Sequence, residues 1–139
     1  MDTARVQPYL LSLFRFVTGL IFLHYGIAKL FKFPPVEMFE KVTLLSLWGV
    51  AGTIELVFGG LLVLGLLTRP AAFILSGEMA CAYFIEHFPQ SFYPLLNDGG
   101  LAIVLCFGCL YLAAAGGGPL GLDALVPSGS ALRPGTSRS

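Results

Sequence analysis

Four long apolar runs, separated by proline, glycine and charged residues, occupy most of the chain. They cover residues 10–31, 44–67, 71–88 and 101–115. A helix needs about 20 mostly apolar residues to cross the hydrocarbon core of a bilayer, and the runs are close to that length. Lys32 follows the first run and Pro89 follows the third, as expected where helices end. The pattern predicts an all-α, polytopic membrane protein built as a bundle of four transmembrane helices.

The composition agrees with burial in lipid. Hydrophobic residues make up 56% of the chain and charged residues 12%, whereas soluble domains carry about 25% charged residues. So small a polar fraction cannot cover the surface of a soluble domain. The formal net charge is zero, and the sequence has no block of basic residues. Nucleic acid is therefore not an expected partner.

The segments between and after the runs suggest one domain with a tail. Residues 36–43 alternate apolar and charged side chains, which predicts a short interfacial helix between the first two spans. The chain becomes rich in Ser, Gly, Pro and Arg from about Val126, which is typical of disorder. We expect a membrane domain over residues 1–125 and a disordered tail over residues 126–139.

Basic residues indicate the orientation, because an even number of spans places both termini on the same side. That side would carry Arg5, Arg69, Arg133 and Arg138. The opposite side would carry Lys29, Lys32 and Lys41. The positive-inside tendency then favours cytoplasmic termini.

Ionisable side chains inside the predicted spans are candidates for a functional site. Arg15, Glu55 and Glu78 fall in the same half, or at the centre, of the bilayer when successive helices alternate in direction. A charge at the bilayer centre costs at least about 2.5–3.5 kcal/mol, so we expect these three side chains to pair. Two interpretations stay open: the charges hold the bundle together, or they form an intramembrane pocket for a ligand or a proton.

One face of the first predicted helix carries both of its strong charges. At about 100° per residue, this line contains Arg15, Gly19, Phe22, Gly26 and Lys29. Lys29 lies near the far end, where its side chain could reach the membrane surface or meet Glu86. His24 lies on the opposite face. It and His87 are candidates for ligand binding or proton relay because histidine titrates near neutral pH, although ordinary interfacial roles explain both.

Cys106 and Cys109 form a C-x-x-C pair in the fourth run, a spacing used in dithiol redox chemistry. They also belong to a stripe of small residues at helical spacing, a pattern typical of close helix packing in membranes. The stripe consists of Gly99, Ala102, Cys106, Cys109, Ala113 and Gly116. Little in a helix within lipid would lower a thiol pKa, so we interpret the pair as packing residues.

Each apolar run also carries a short motif of charged, aromatic or glycine residues. The motifs are HYG at residues 24–26 after Arg15, AGTIEL at 51–56, EMA at 78–80 and LYL at 110–112. Together they resemble the DoxX family of small bacterial membrane proteins, over about residues 15–125. The family usually has Asn-x-Gly-Glu before the fourth span, whereas here Gly100 stands in the place of that glutamate.

The resemblance implies a protein of the bacterial inner membrane, linked in some relatives with quinone-dependent sulfur oxidation or oxidative-stress complexes. Our first hypothesis is a redox-linked subunit that holds a quinone near Arg15, Glu55 and Glu78. The sequence contains no flavin, haem or metal motif, so electrons would come from a soluble oxidoreductase or a respiratory-chain component. No residue is identified as catalytic.

Two other hypotheses stay open. The chain could be a non-enzymatic assembly or partner-binding subunit, in which the charges serve only helix pairing. It could also be a small-solute transporter, for which a homo-oligomer would have to form the pathway. The absence of internal repeats argues against the transporter.

Overall fold

The computed structural model describes residues 2–125, and within that range the chain is all-helical, as predicted. The α-helices are α1 (Thr3–Phe31), α2 (Leu47–Leu64), α3 (Thr68–Ala82), α4 (Pro94–Asn97) and α5 (Gly100–Ala115). Helix α1 packs along α2, α3 packs along α5, and α2 also contacts α3. Helix α4 is a single turn, so the four longer helices form the bundle. The predicted tail, residues 126–139, lies outside the described residues.

Within residues 2–125, two helices are long and apolar enough to cross a membrane, α1 with 29 residues and α2 with 18. Helix α5 is also apolar but has 16 residues. The 15 residues of α3 continue without a break into a five-residue π-helix, Tyr83–His87. The backbone at Tyr83 and Phe88 keeps right-handed helical angles, so the π-helix extends α3 toward the end of the bundle.

The distribution of side chains is the reverse of that in a soluble protein. Large apolar residues, including Leu13, Val57 and Phe107, lie on the outside of the bundle. Arg15 and Glu55, by contrast, are buried. A water-soluble domain rarely exposes apolar patches this extensive. Contact with lipid explains both the apolar exterior and the polar interior.

The backbones of α1 and α2 meet directly at glycines. The line predicted on α1 is confirmed, since Arg15, Gly19, Phe22 and Gly26 are all buried. A Cβ atom on Gly26 would lie 2.6 Å from the Leu56 amide nitrogen. Small residues let membrane helices approach this closely and gain dispersion energy, and the approach fixes the register of α1 on α2.

The connection between α1 and α2 is held by Lys32 rather than by a helix. The helix predicted over residues 36–43 is a single 3₁₀ turn, Glu37–Phe39. The Lys32 ammonium donates hydrogen bonds to the carbonyl oxygens of Lys29 (3.0 Å), Phe39 (2.7 Å) and Val42 (2.7 Å). These three bonds shape the connection around one cation, so its backbone does not need a helix to satisfy its carbonyls.

Helix α3 is capped by a residue far away in sequence. No side chain close to Thr68 caps its first turn. The Asp123 carboxylate instead accepts hydrogen bonds from the backbone N–H groups of Leu67 (2.8 Å) and Thr68 (3.0 Å). A carboxylate is favourable here because the first N–H groups of a helix lack partners and carry partial positive charge.

The capping bonds predict that the contribution of Asp123 to stability depends on pH. Burial acts to raise the pKa of Asp123, but hydrogen bonds from Thr68 and Leu67 and the nearby Arg15 charge together lower it. A group whose pKa is lower in the folded state stabilises above its unfolded pKa, about 3.9, and loses that contribution as pH falls through the folded value. Asp123→Asn should therefore lower the unfolding temperature in detergent at pH 7. If the difference from wild type did not shrink as the pH was lowered below 4, the capping explanation would be wrong.

Candidate functional site

A buried ion pair joins α1 to the middle of α2. The Lys29 ammonium lies 2.8 Å from Glu55 Oε1 and 3.0 Å from Oε2. The side chain of Glu55 is only 2% exposed and that of Lys29 is 12% exposed. Gly52 makes the contact possible, because a Cβ atom there would lie 2.9 Å from Lys29 Cβ. The lysine stem therefore passes over Gly52 to reach Glu55, about one turn further along α2.

Glu78 on α3 adds a second carboxyl group to this pair. It interacts with both Glu55 and Lys29, and its Oε2 atom is buried without a hydrogen-bond partner. Lys29, Glu55 and Glu78 are called the Lys29 cluster below. With both carboxyl groups ionised the cluster carries an excess negative charge, which is costly inside a membrane. It can therefore hold a proton or accept a hydrogen bond from a ligand.

Aromatic rings surround the Lys29 ammonium. It lies 6.0 Å from the ring centroid of Tyr25, 5.7 Å from that of Phe39 and 5.9 Å from that of Trp48. Cation–π attraction adds to the ion pair in such a setting. The Trp48 indole N–H donates a 2.8 Å hydrogen bond to Glu86 Oε1. Glu86 is thus paired with Trp48, so of the two alternatives predicted for Lys29, the one in which it meets Glu86 is wrong.

The two histidines lie apart from the Lys29 cluster. His24 is exposed on the outer face of α1, where its ring lies 6.2 Å from that of Tyr25. His87 ends the π-helix, and its Nδ1 lies 2.8 Å from the Asn97 carbonyl oxygen. Neither histidine contacts the buried carboxylates. The contact between His87 and Asn97 instead connects the π-helical extension of α3 to α4. A role for either as a relay remains a prediction.

The structure separates Arg15 from the glutamates, so the prediction that they converge is wrong. Arg15 is 14 residues before Lys29, which is about 21 Å along a helix. It lies beside Gly65 and Gly121, with Asp123 as its nearby opposite charge. The bundle therefore has a Lys29 end and an Arg15 end, the latter formed by the α2–α3 turn and residues 116–125.

Several residues of these two ends were not identified from the sequence as site residues. Phe39 and Trp48 surround Lys29, while Thr68 and Asp123 lie at the Arg15 end. The sequence shows an acidic residue after the last span, and carboxylates often cap the N-terminus of a helix. It does not show which helix Asp123 caps, because 55 residues separate Asp123 from Thr68.

The cysteine pair agrees with the packing interpretation. Ser76 Oγ on α3 donates a 2.8 Å hydrogen bond to the Cys106 carbonyl oxygen and lies 3.5 Å from its Sγ. Cys109 is completely buried in the apolar core.

The helical bundle, its apolar exterior and its buried charge cluster together define a small polytopic membrane protein. The DoxX family model matches residues 10–88. The chain belongs to the DoxX family, and the matched region contains the whole Lys29 cluster. An uncharacterized protein of Haemophilus influenzae is 38% identical over 133 residues, covering 86% of this chain and 92% of the relative. No solved structure matches the chain significantly.

Proposed function

We propose that this DoxX protein is a subunit of a redox-linked complex in the bacterial inner membrane, and that the Lys29 cluster binds a quinone headgroup. The observation that carries the proposal is Oε2 of Glu78, which is buried beside the Lys29–Glu55 pair and has no hydrogen-bond donor unless a proton is shared with Glu55. A polar atom without a partner is costly in such surroundings. A ligand that forms a hydrogen bond with it would remove that cost.

The residues of the cluster fit both forms of a quinone. The Lys29 ammonium can donate a hydrogen bond to a carbonyl oxygen, and the carboxyl groups of Glu55 and Glu78 can accept one from a hydroxyl. The rings of Phe39 and Trp48 lie near Lys29, and aromatic rings favour stacking with flat apolar groups. When bound, a quinone would supply two-electron chemistry, with electrons exchanged with a partner oxidoreductase.

We propose that Glu78 exchanges one of the two protons that accompany the two electrons, and that the other proton exchanges with water. Both carboxylate oxygens of Glu55 already accept hydrogen bonds from Lys29, so protonation of Glu55 would break the ion pair. Glu78 has a free oxygen and can change its protonation state while the pair stays intact. The chain would thus hold the headgroup through Lys29 and move a proton at Glu78.

The same proposal includes four membrane spans with cytoplasmic termini. Helix α3 together with its π-helical extension, and α5, would span alongside α1 and α2. Lys29 and Lys32 are engaged inside the fold, so Lys41 is the exposed basic residue of their connection. Arg5 and Arg69 are both exposed at the opposite end. This distribution favours cytoplasmic placement of the Arg15 end.

Titration with a short-chain ubiquinone tests the proposal. The chain has one tryptophan, and Trp48 lies 5.9 Å from the Lys29 ammonium, so a bound quinone should quench its fluorescence. We expect Glu78→Gln to weaken binding about ten-fold, since a hydrogen bond to a charged group contributes about 1.5–3 kcal/mol. Glu40→Gln is the matched control, because Glu40 is exposed.

Equal quinone affinity in Glu78→Gln and wild type would contradict the proposed site, provided that both variants unfold at similar temperatures. Absence of quinone binding, with a soluble oxidoreductase co-purifying in stoichiometric amount, would instead favour the partner-binding function. Quinone extracted from the purified protein and quantified by chromatography gives an independent measurement.

A further inference from the structure

The connection that follows the π-helix exposes apolar side chains at the Lys29 end of the bundle. It runs over residues 88–97, up to the end of α4, and is called the Phe92 loop below. It contains no charged residue, yet Leu95 is 90% exposed and Phe92 is 72% exposed. The α1–α2 connection at the same end differs, because it exposes the charges of Glu40 and Lys41. An apolar surface of this kind indicates contact with a partner.

The polar backbone of the Phe92 loop is turned inward and bonded to the protein. Asn97 is completely buried. Its Nδ2 donates a 2.9 Å hydrogen bond to the Ser91 carbonyl oxygen, and its Oδ1 accepts a 2.8 Å bond from the Gly99 N–H. Irregular backbone is tolerated close to hydrocarbon only where its polar groups find such internal partners. Further N–H groups of the loop donate to carbonyl oxygens within it or in the π-helix, namely those of Phe88, Gln90, Leu96 and Asn97.

The exposed surface of the Phe92 loop continues the apolar exterior of the bundle. Phe84 is 62% exposed on the outside of the π-helix. From there, neighbouring rings lead into the loop, with centroid distances of 5.8 Å from Phe84 to Phe88 and 6.1 Å from Phe88 to Phe92. The Phe92 and Tyr93 rings lie 5.5 Å apart. The surface that meets lipid along α3 therefore extends without interruption onto the loop.

The length of α5 gives the loop a definite depth. Helix α5 has 16 residues, which corresponds to about 24 Å, whereas the hydrocarbon core of a bilayer is about 30 Å thick. The helix begins at Gly100, directly after the Phe92 loop and Asp98-Gly99. If α5 spans the membrane, as the four-span arrangement proposed above requires, the apolar side chains of the loop lie where the helix falls short.

We propose that the Phe92 loop is seated in the membrane interface and that its partner is the acyl chains of the surrounding lipid. Phe92, Leu95 and Leu96 would insert among the chains, while Asn97 holds the backbone toward the bundle. Interfacial segments bury their apolar side in this way at the boundary between headgroups and chains. Aromatic residues are enriched at the same level. The loop thus anchors the π-helix, which it contacts through His87 and Asn97.

Tryptophan fluorescence in lipid vesicles tests this placement. Leu95→Trp is made in a Trp48→Phe background, which removes the one native tryptophan, and is reconstituted into phosphatidylcholine vesicles. Phospholipids with brominated acyl chains quench a tryptophan from the hydrocarbon, and acrylamide quenches it from water. Glu40→Trp is the matched control, because it places the same side chain on the charged connection. Val104→Trp, at a position 67% exposed on α5, reports whether α5 spans.

We expect brominated lipid to quench Leu95→Trp as strongly as Val104→Trp and more strongly than Glu40→Trp, with the reverse order for acrylamide. Acrylamide quenching equal to that of Glu40→Trp overturns the proposal. So does protection from both quenchers, which would mean that a second copy or another protein covers the loop. Weak lipid quenching of Val104→Trp overturns the four-span arrangement together with the proposal.

Two features keep the test decisive. No quinone is present, so the result does not depend on the proposed ligand of the Lys29 cluster. Unfolding temperatures and circular dichroism show whether each variant folds, and Leu96→Trp, at a position 69% exposed, takes the place of Leu95→Trp if that variant does not.

Discussion

Replacing the buried lysine should be the most destabilising single change at the Lys29 end. Lys29→Met leaves the carboxylates of Glu55 and Glu78 facing each other without a cation. Removing one partner of a buried ion pair costs about 3–5 kcal/mol, because the remaining charge stays desolvated. Unfolding in detergent, followed through Trp48 fluorescence, measures the cost directly, since this indole lies close to the lysine.

Glu55→Gln should cost less than Lys29→Met, because Glu78 can take over as partner for the ammonium. The double variant Lys29→Met/Glu55→Gln should recover much of the stability, since it leaves a single carboxyl group, which can take up a proton. Such a result is expected where two residues form one coupled unit. If the two single effects simply added in the double variant, the pair would contribute little, and the charges would belong to independent sites.

The sequence predicted the helices well because helix formation and membrane burial are both visible in periodicity. The line on α1 from Arg15 to Lys29 follows from 3.6 residues per turn, and its glycines show where another backbone can approach. The sequence did not show which helix packs against α1. Gly52 and Gly59 lie on the face of α2 that contacts α1, but α5 also carries small residues, so composition alone does not identify α2 as the partner.

The position of Arg15 relative to the other helices was wrong because α1 extends beyond the end of α2. Helix α1 starts at Thr3, capped by Asp2, whose side chain accepts a hydrogen bond from the Ala4 N–H. Arg15 lies level with Gly65, where α2 ends. The part of α1 before Arg15 therefore has no counterpart on α2, although its residues from Leu10 on are mostly apolar. The apolar run alone does not show where the neighbouring helix ends.

The pairing of charges could not be predicted because it depends on tertiary geometry. Arg15 and Lys29 share one face of α1, so either could have met Glu55. The crossing of α1 on α2 decides in favour of Lys29, whose flexible stem passes over Gly52. Asp123 lies near Arg15 because residues 116–125 fold back onto the α2–α3 turn. The Asp123 N–H there donates a 2.8 Å hydrogen bond to the Gly65 carbonyl oxygen.

The neighbouring glycines of α2 provide the sharpest test of the helix crossing. Gly59→Ala should destabilise the bundle by about 1–3 kcal/mol, the usual cost of overpacking. Its Cβ would lie 2.8 Å from the Leu23 amide nitrogen and 2.9 Å from Phe22 Cβ. Gly60→Ala is the matched control, because nothing lies within 4 Å of a Cβ there. Both substitutions gain the same helix propensity, up to about 1 kcal/mol, so their difference isolates the contact with α1.

The same pair of variants links the crossing to the site. A displaced α1 would carry Lys29 away from Glu55, so Gly59→Ala should also shift Trp48 emission and weaken the binding of short-chain ubiquinone. Gly60→Ala should leave both unchanged. Equal unfolding temperatures for the two variants would mean that α1 and α2 do not meet at Gly59. The register that brings Lys29 over Gly52 to Glu55 would then lose its basis, and the Lys29 cluster would have to form in another way.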